Sequence, residues 1–224
     1  MNVLGIDTST AASAVCVLRD DGEAFEHMPA AERLTAPPGH ASELMPAVAR
    51  CLEQAGLDWQ EVDAIAVGVG PGAFTGLRIG VATARALAHA HGAELRPVSS
   101  LVALAAGAPD ERVLAAIDAR RGELFAALYR DGGVPLWEPF AAAPEAVAER
   151  IRAERISPLA AGDGAVRFRD VLEAAGARIP PSDSHVHVVR GLAICRLAAT
   201  TAPAPVDAVL PDYQRLPDAR PTPT

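Results

Sequence analysis

Residues 64–82, AIAVGVGPGAFTGLRIGVA, decide the fold. Residues 64–69 are an apolar run of strand length. Gly68, Gly70, Pro71, Gly72 and Gly76 then predict a turn that neither helix nor strand can cross. Thr75 is the expected N-cap of a helix over residues 76–91. A glycine loop feeding a helix N-terminus presents backbone N–H groups at the positive end of a helix dipole, which suits a phosphate or another anion. The same glycines also let a helix lie close on a sheet, and the loop alone does not choose between the two readings.

Outward from this junction, strands are expected at residues 3–7, 14–19 and 24–28, the last two joined by Asp20-Asp21-Gly22. A helix follows over residues 41–55, with Leu44, Val48, Cys51 and Leu52 on one stripe and Gly56 just past its end. A strand at 95–98 and a short helix at 101–106 complete a mixed sheet covered by helices. The second half repeats the plan: strands at 113–118, 123–130 and 136–140 with a turn at Asp131-Gly132-Gly133, a helix at 144–154, a strand at 159–161 and a helix at 166–175. Ile6-Asp7 and Ile117-Asp118 end the first strand of each half. Such a duplication predicts an α/β fold of two related lobes, residues 1–107 and 108–201, with a cleft between them. A helix over 186–199 is expected to close the second lobe or return to the first. The proline-rich tail, 202–224, is expected to be extended and partly mobile.

Half of the residues are hydrophobic, ample for a core. No apolar segment is long enough for a membrane span, and no signal peptide is expected, which predicts a cytoplasmic protein. Cys16, Cys51 and Cys195 sit far apart among apolar residues and read as reduced core side chains. The net charge of −8 argues against a chain that grips an RNA backbone alone. There is no lysine, which excludes Schiff-base chemistry and a Walker A loop.

Five motifs, VLGIDTST at residues 3–10, GPGAFTGLRIG at 70–80, IDARRGELF at 117–125, AGDGA at 161–165 and PDYQR at 211–215, occur in an order and spacing that resemble the bacterial TsaB (YeaZ) proteins. The resemblance implies a two-lobed actin-like (ribonuclease H-like) fold. It also implies a role beside a homologous catalytic subunit, TsaD, and an ATPase, TsaE, in forming threonylcarbamoyladenosine next to the anticodon of tRNAs that read codons beginning with A. Partners would be TsaD, TsaE and a second copy of the chain, with tRNA reached only through the complex and no membrane involved. Pairing in the family through first-lobe helices implies an interface of Leu44, Met45, Val48, Leu77, Val81, Ala84 and Arg85. Gly80, Ala84 and Ala88 recur every four residues there, Ile79, Ala82, Ala86 and Ala90 form a second apolar strip, and packing of the first face on the chain's own sheet is the alternative.

In actin-like ATPases an aspartate at the end of the first strand of each lobe coordinates a metal-bound nucleotide. By resemblance Asp7, Thr8, Ser9, Thr10, Gly70, Gly72, Asp118 and Gly162 would line that cleft here. Arg120 and Arg121 stand where small residues would let backbone approach phosphates, so they would fill the cleft or pair with carboxylates. The expectation is therefore a degenerate site with no catalytic residue, no metal and no required cofactor, binding ATP or ADP weakly. The alternatives are an ATPase or small-molecule kinase using Asp7, Thr8, Thr10 and Asp118, and a metallopeptidase. The latter would need histidines at i and i+4 on one helix, whereas position 44, four after His40, is leucine, His89 and His91 are two apart, and His185 and His187 lie in a polar segment expected to be solvated. Tyr213 is expected in the core.

Overall fold

The structure, a computed structural model, describes residues 1–131 and 133–214. Gly132 of the second-lobe turn, Arg215 of PDYQR and the rest of the tail lie outside the described residues.

The first sheet contains Val3–Asp7 (β1), Ala14–Leu18 (β2), Ala24–His27 (β3), Ala64–Gly70 (β4) and Glu94–Ser99 (β5), in the order β3-β2-β1-β4-β5. β1 is antiparallel to β2 and parallel to β4. The second sheet contains Arg112–Arg120 (β6), Glu123–Arg130 (β7), Val134–Ala142 (β8) and Leu159–Ala161 (β9), in the order β8-β7-β6-β9. Its pairings repeat the first four strands of the other sheet, antiparallel then parallel about the central strand. The predicted duplication is thus the observed topology.

Alternation along the strands sorts side chains into three clusters. Leu4, Ile6, Val15, Ile65 and Val67 pack on Leu44, Val48 and Cys51 of His40–Ala55 (α1) and on Val81, Ala84 and Ala88 of Phe74–His91 (α2). The reverse face, Val3, Cys16, Ala64 and Ala66, meets Leu101 and Leu104 of Ser100–Ala106 (α3) and Ile194 and Cys195 of Gly191–Ala198 (α7). On its other side α3 packs on β6 and β7 of the second sheet, whose Ala115, Ile117, Ala127 and Tyr129 belong to the same cluster. The far side of that sheet is covered by Pro144–Glu154 (α4), Asp163–Arg167 (α5) and Arg169–Glu173 (α6). The result is five layers, helix, sheet, helix, sheet, helix, in which α3 and α7 form the middle layer of one shared core.

Several expected boundaries move for physical reasons. The helix expected over 166–175 is two short helices, because the chain steps at Phe168 (φ −111°, ψ 31°) and both Ala165 and Leu172 still reach the core. The helix expected over 186–199 becomes a 3-10 turn at His185–His187 followed by α7, with His187 fully buried and not solvated. α7 lies on the first sheet: a Cβ on Gly5 would come within 2.6 Å of Cys195 Sγ, and one on Gly191 within 2.6 Å of the Val15 carbonyl carbon. Only glycine at both positions allows that approach. The described part of the tail is bound, not loose. Ala204 N–H donates to Leu95 O at 2.8 Å, Val209 is buried in the first-lobe core, and Asp212 N–H donates to Val69 O at 2.7 Å.

Because one core joins both sheets, the chain should unfold in a single transition by far-ultraviolet and near-ultraviolet circular dichroism. Leu104→Ala should cost about 2–5 kcal/mol of total stability; two separated transitions would contradict the shared core.

Candidate functional site

The end of β1 builds a buried polar cluster. Asp7 Oδ1 accepts from Ser9 N–H at 2.9 Å and Ser9 Oγ–H at 2.6 Å, and Oδ2 accepts from Ser100 Oγ–H at 2.6 Å. Gly70 N–H donates to Ser100 Oγ, Thr8 Oγ1–H to Gly76 O and Ala73 N–H to Ser9 O. Asp7, Thr8, Ser9 and Thr10 are all buried. Burial pushes the Asp7 carboxyl above its ordinary range, while the hydrogen bonds from Ser100 and Ser9 pull the other way.

The glycines of the decisive stretch exist for this cluster. A Cβ would lie 1.8 Å from Asp7 Oδ2 at Gly68, 2.3 Å from Ser9 O at Gly72, 2.1 Å from Thr8 O at Gly76 and 2.2 Å from Thr8 Oγ1 at Gly80. Close packing, not an open anion loop, is what they provide. Gly68 and Gly70 lie within β4 and Gly76 within α2, so the predicted barrier to strand and helix is corrected. Thr75 is not the N-cap. Ala73 takes that position with no side-chain cap, and its own N–H donates to Ser9 O, which fixes the start of α2 against the end of β1.

His40 begins α1 and is buried, with Nδ1 2.7 Å from Ser13 Oγ; burial lowers its pKa. Among the described residues no three His, Cys, Asp or Glu side chains converge as a metal site would need. All three cysteines are buried and unpaired.

The second lobe treats its own strand-end aspartate differently. Asp118 Oδ1 accepts from Arg120 N–H at 2.8 Å, and Oδ2 binds Arg167 Nη1 at 2.8 Å and Arg120 Nη1 at 3.3 Å. Asp118 N–H donates to Asp163 Oδ1 at 3.0 Å. Burial, reinforced by the nearby Asp118 charge, pushes the Asp163 carboxyl up to about 6. These residues line a cleft of about 480 Å3 whose first-lobe wall is Glu32, Leu34, Thr35 and Ala36. Of the eight residues expected to line a nucleotide cleft, Asp118 lines this one. Asp7, Thr8, Ser9, Thr10 and Gly70 are buried elsewhere, Gly72 abuts Ser9, and Gly162 spends its N–H on His187 Nδ1.

The expected partner face is also corrected. Leu44, Val48, Leu77, Val81 and Ala84 are buried in the chain's own core, because Gly76 and Gly80 turn that side of α2 onto Thr8. The second strip is the outward one: Ala82, Ala86 and Ala90 are exposed, with Met45 at 42% and Phe74 at 47%. Arg85 pairs with Asp207 at 3.0 Å. Tyr213 is not a core residue; it is exposed, accepts from Arg78 Nε–H at 2.9 Å and meets the Phe74 ring at 5.2 Å. Sequence reasoning missed Ser100, Arg167 and Phe74; of these only Ser100, polar at a strand end before an apolar run, carried a local signal.

The family model described as TsaD, tRNA N6-adenosine threonylcarbamoyltransferase, matches residues 35–190, well over half of the chain. The chain belongs to this family. Its relatives place it on the TsaB (YeaZ) side. The TsaB protein of Escherichia coli is 38% identical over 141 residues, covering 61% of this chain and 58% of that protein. The TsaB protein of Bacillus subtilis is 35% identical over 132 residues, 58% of this chain and 56% of that one. The chain thus spans little more than half the length of these curated relatives. The solved structure of YeaZ from Pseudomonas aeruginosa matches with a TM-score of 0.78 at 33% identity, covering 95% of this chain and 99% of that one. Among the described residues no helix is long and apolar enough to cross a membrane.

Two outcomes follow from the geometry. Gly76→Ala should lower the melting temperature by many degrees, since its Cβ meets backbone that cannot move aside; an unchanged melt would refute the packing role. Asp163 holds a proton in the native state between its ordinary pKa and about 6, so wild-type stability falls as pH rises through that window, by at most about 3 kcal/mol, and is level above it. Asp163→Asn should therefore melt higher than wild type at a pH of about 7.5 and coincide with it near pH 4. An equal difference at both values would disprove the assignment.

Proposed function

We propose that this chain is the non-catalytic partner of a TsaD-type enzyme in making threonylcarbamoyladenosine beside the anticodon of tRNAs that read codons beginning with A, in the cytoplasm. The observation that supports the reading is the state of the two strand-end aspartates. Asp7 is buried and saturated by serine donors, and Asp118 is tied up by two arginines, so neither is placed to hold a metal-bound nucleotide. TsaD would transfer the threonylcarbamoyl group from its adenylate to the adenosine amino group, and this chain would supply no nucleophile, base or cofactor of its own. A net charge of −8 suits a subunit that leaves the tRNA backbone to its partners. TsaE would dock on the assembled pair.

The outward face of α1 and α2 suits this role. Met45, Phe74, Ala82 and Ala86 are apolar and exposed, and alanines four apart let a partner helix approach closely. A second copy would use the same face and exchange for TsaD.

Alone, the chain should show no transfer to tRNA from threonylcarbamoyl adenylate, and adding it to TsaD and TsaE should restore activity; unaided turnover would end the proposal. Ala82→Arg and Met45→Asp should abolish co-elution with TsaD at an unchanged melting temperature, whereas Val81→Asp should unfold the chain. Retained binding and modification in Ala82→Arg would place the interface elsewhere.

A further inference from the structure

We propose that residues 207–213 complete the partner face of α2 by holding Arg78 and Arg85 off its alanine stripe, so that a partner helix can desolvate the stripe. This rests on the reading of α1 and α2 as the surface that meets a TsaD-type partner.

α2 carries two arginines, Arg78 and Arg85, and no Lys, Asp or Glu. Seven residues apart on a helix, they share one stripe with Ala82, which is exposed. A helix packing closely over Ala82 would take water from both guanidinium groups, and a buried cation without acceptors is costly. The tail supplies what the stripe lacks. Tyr213 Oη accepts from Arg78 Nε–H at 2.9 Å, and the Arg78 guanidinium carbon lies 3.7 Å from the centre of the Phe74 ring and 5.9 Å from that of Tyr213. Asp207 Oδ1 accepts from Arg85 Nη2 at 3.0 Å. Each arginine is thus turned toward the tail, with an acceptor or a ring face already in place.

The tail is anchored independently of these contacts. Ala204 N–H donates to Leu95 O on one side of Asp207, and on the other side Val209 is buried and Asp212 N–H donates to Val69 O, immediately before Tyr213. Asp207 and Tyr213 themselves are exposed, the Asp207 side chain at 98%. Among the described residues their side chains bond or stack with Arg85, Arg78 and Phe74, and so serve α2 and not the anchoring of the tail. A partner then meets side chains that are ordered before it arrives, which lowers the cost of association. Arginines meant for carboxylates of the partner would instead be left open, and the two uses predict opposite effects of removing them.

The test is the affinity of full-length chains for TsaD, measured by calorimetry, with circular dichroism to check each fold. The double variant Asp207→Ala, Tyr213→Ala should bind TsaD about tenfold more weakly than wild type. Adding Arg78→Ala and Arg85→Ala should bring the affinity back to within about threefold of wild type, because no cation then remains to be held aside. A damaged fold would not be rescued in this way. Unchanged affinity in the double variant, or no recovery in the quadruple one, would overturn the proposal and leave the partner reading standing; a wild-type chain that does not bind TsaD would remove both.

Discussion

The first lobe is organised around a carboxylate that has no cation bonded to it. Asp7 is buried at the end of β1, and its hydrogen-bond donors are two serine hydroxyls and one backbone N–H. Hydroxyl dipoles offset only part of the cost of removing a charge from water, which is why its pKa rises. The arrangement persists because its surroundings fix it. Ser100 starts α3, so the same bond that satisfies Asp7 orients the helix that joins the sheets, and four glycines bring β4 and α2 close enough to exclude solvent.

The sealed loop and the shared middle layer have one mechanical consequence. In a two-lobed protein that opens and closes, the lobes need an interface that can slip; here α3 is packed against both sheets through fully buried Leu101 and Leu104, with α7 beside it on the first sheet. Interdigitated cores resist sliding because every displaced methyl leaves a void. The ends of the cleft are therefore set by the core, and any ligand meets a nearly preformed wall on the second lobe.

Much of this was legible in the sequence, and the failures are specific. Strand positions, the duplication and the two strand-end aspartates followed from apolar runs and turn residues, to within one or two residues at most ends. The buried face of α2 did not, because Gly76, Gly80, Ala84 and Ala88 and the strip Ile79, Ala82, Ala86 and Ala90 are equally apolar, and periodicity alone cannot rank them. Contact of the glycines with Thr8, 68 residues away from Gly76, decides it. Arg167 was invisible for the same reason, since its partner Asp118 is 49 residues away and nothing local marks the pair. Proline content suggested a loose tail, but buried Val209 and two backbone hydrogen bonds, to Leu95 of β5 and Val69 of β4, hold its described part, residues 202–214.

The duplicated halves thus hold the same chemical problem and answer it in opposite ways. At the end of β1 the aspartate is surrounded by neutral donors and buried. At the end of β6 the aspartate is neutralised by arginines whose far sides stay wet, so charge persists at the surface of the second lobe. Two half-exposed guanidinium groups sharing one carboxylate retain a net positive character. The two halves therefore differ in what meets the strand-end carboxylate, neutral hydroxyl and backbone donors at Asp7 and guanidinium groups at Asp118.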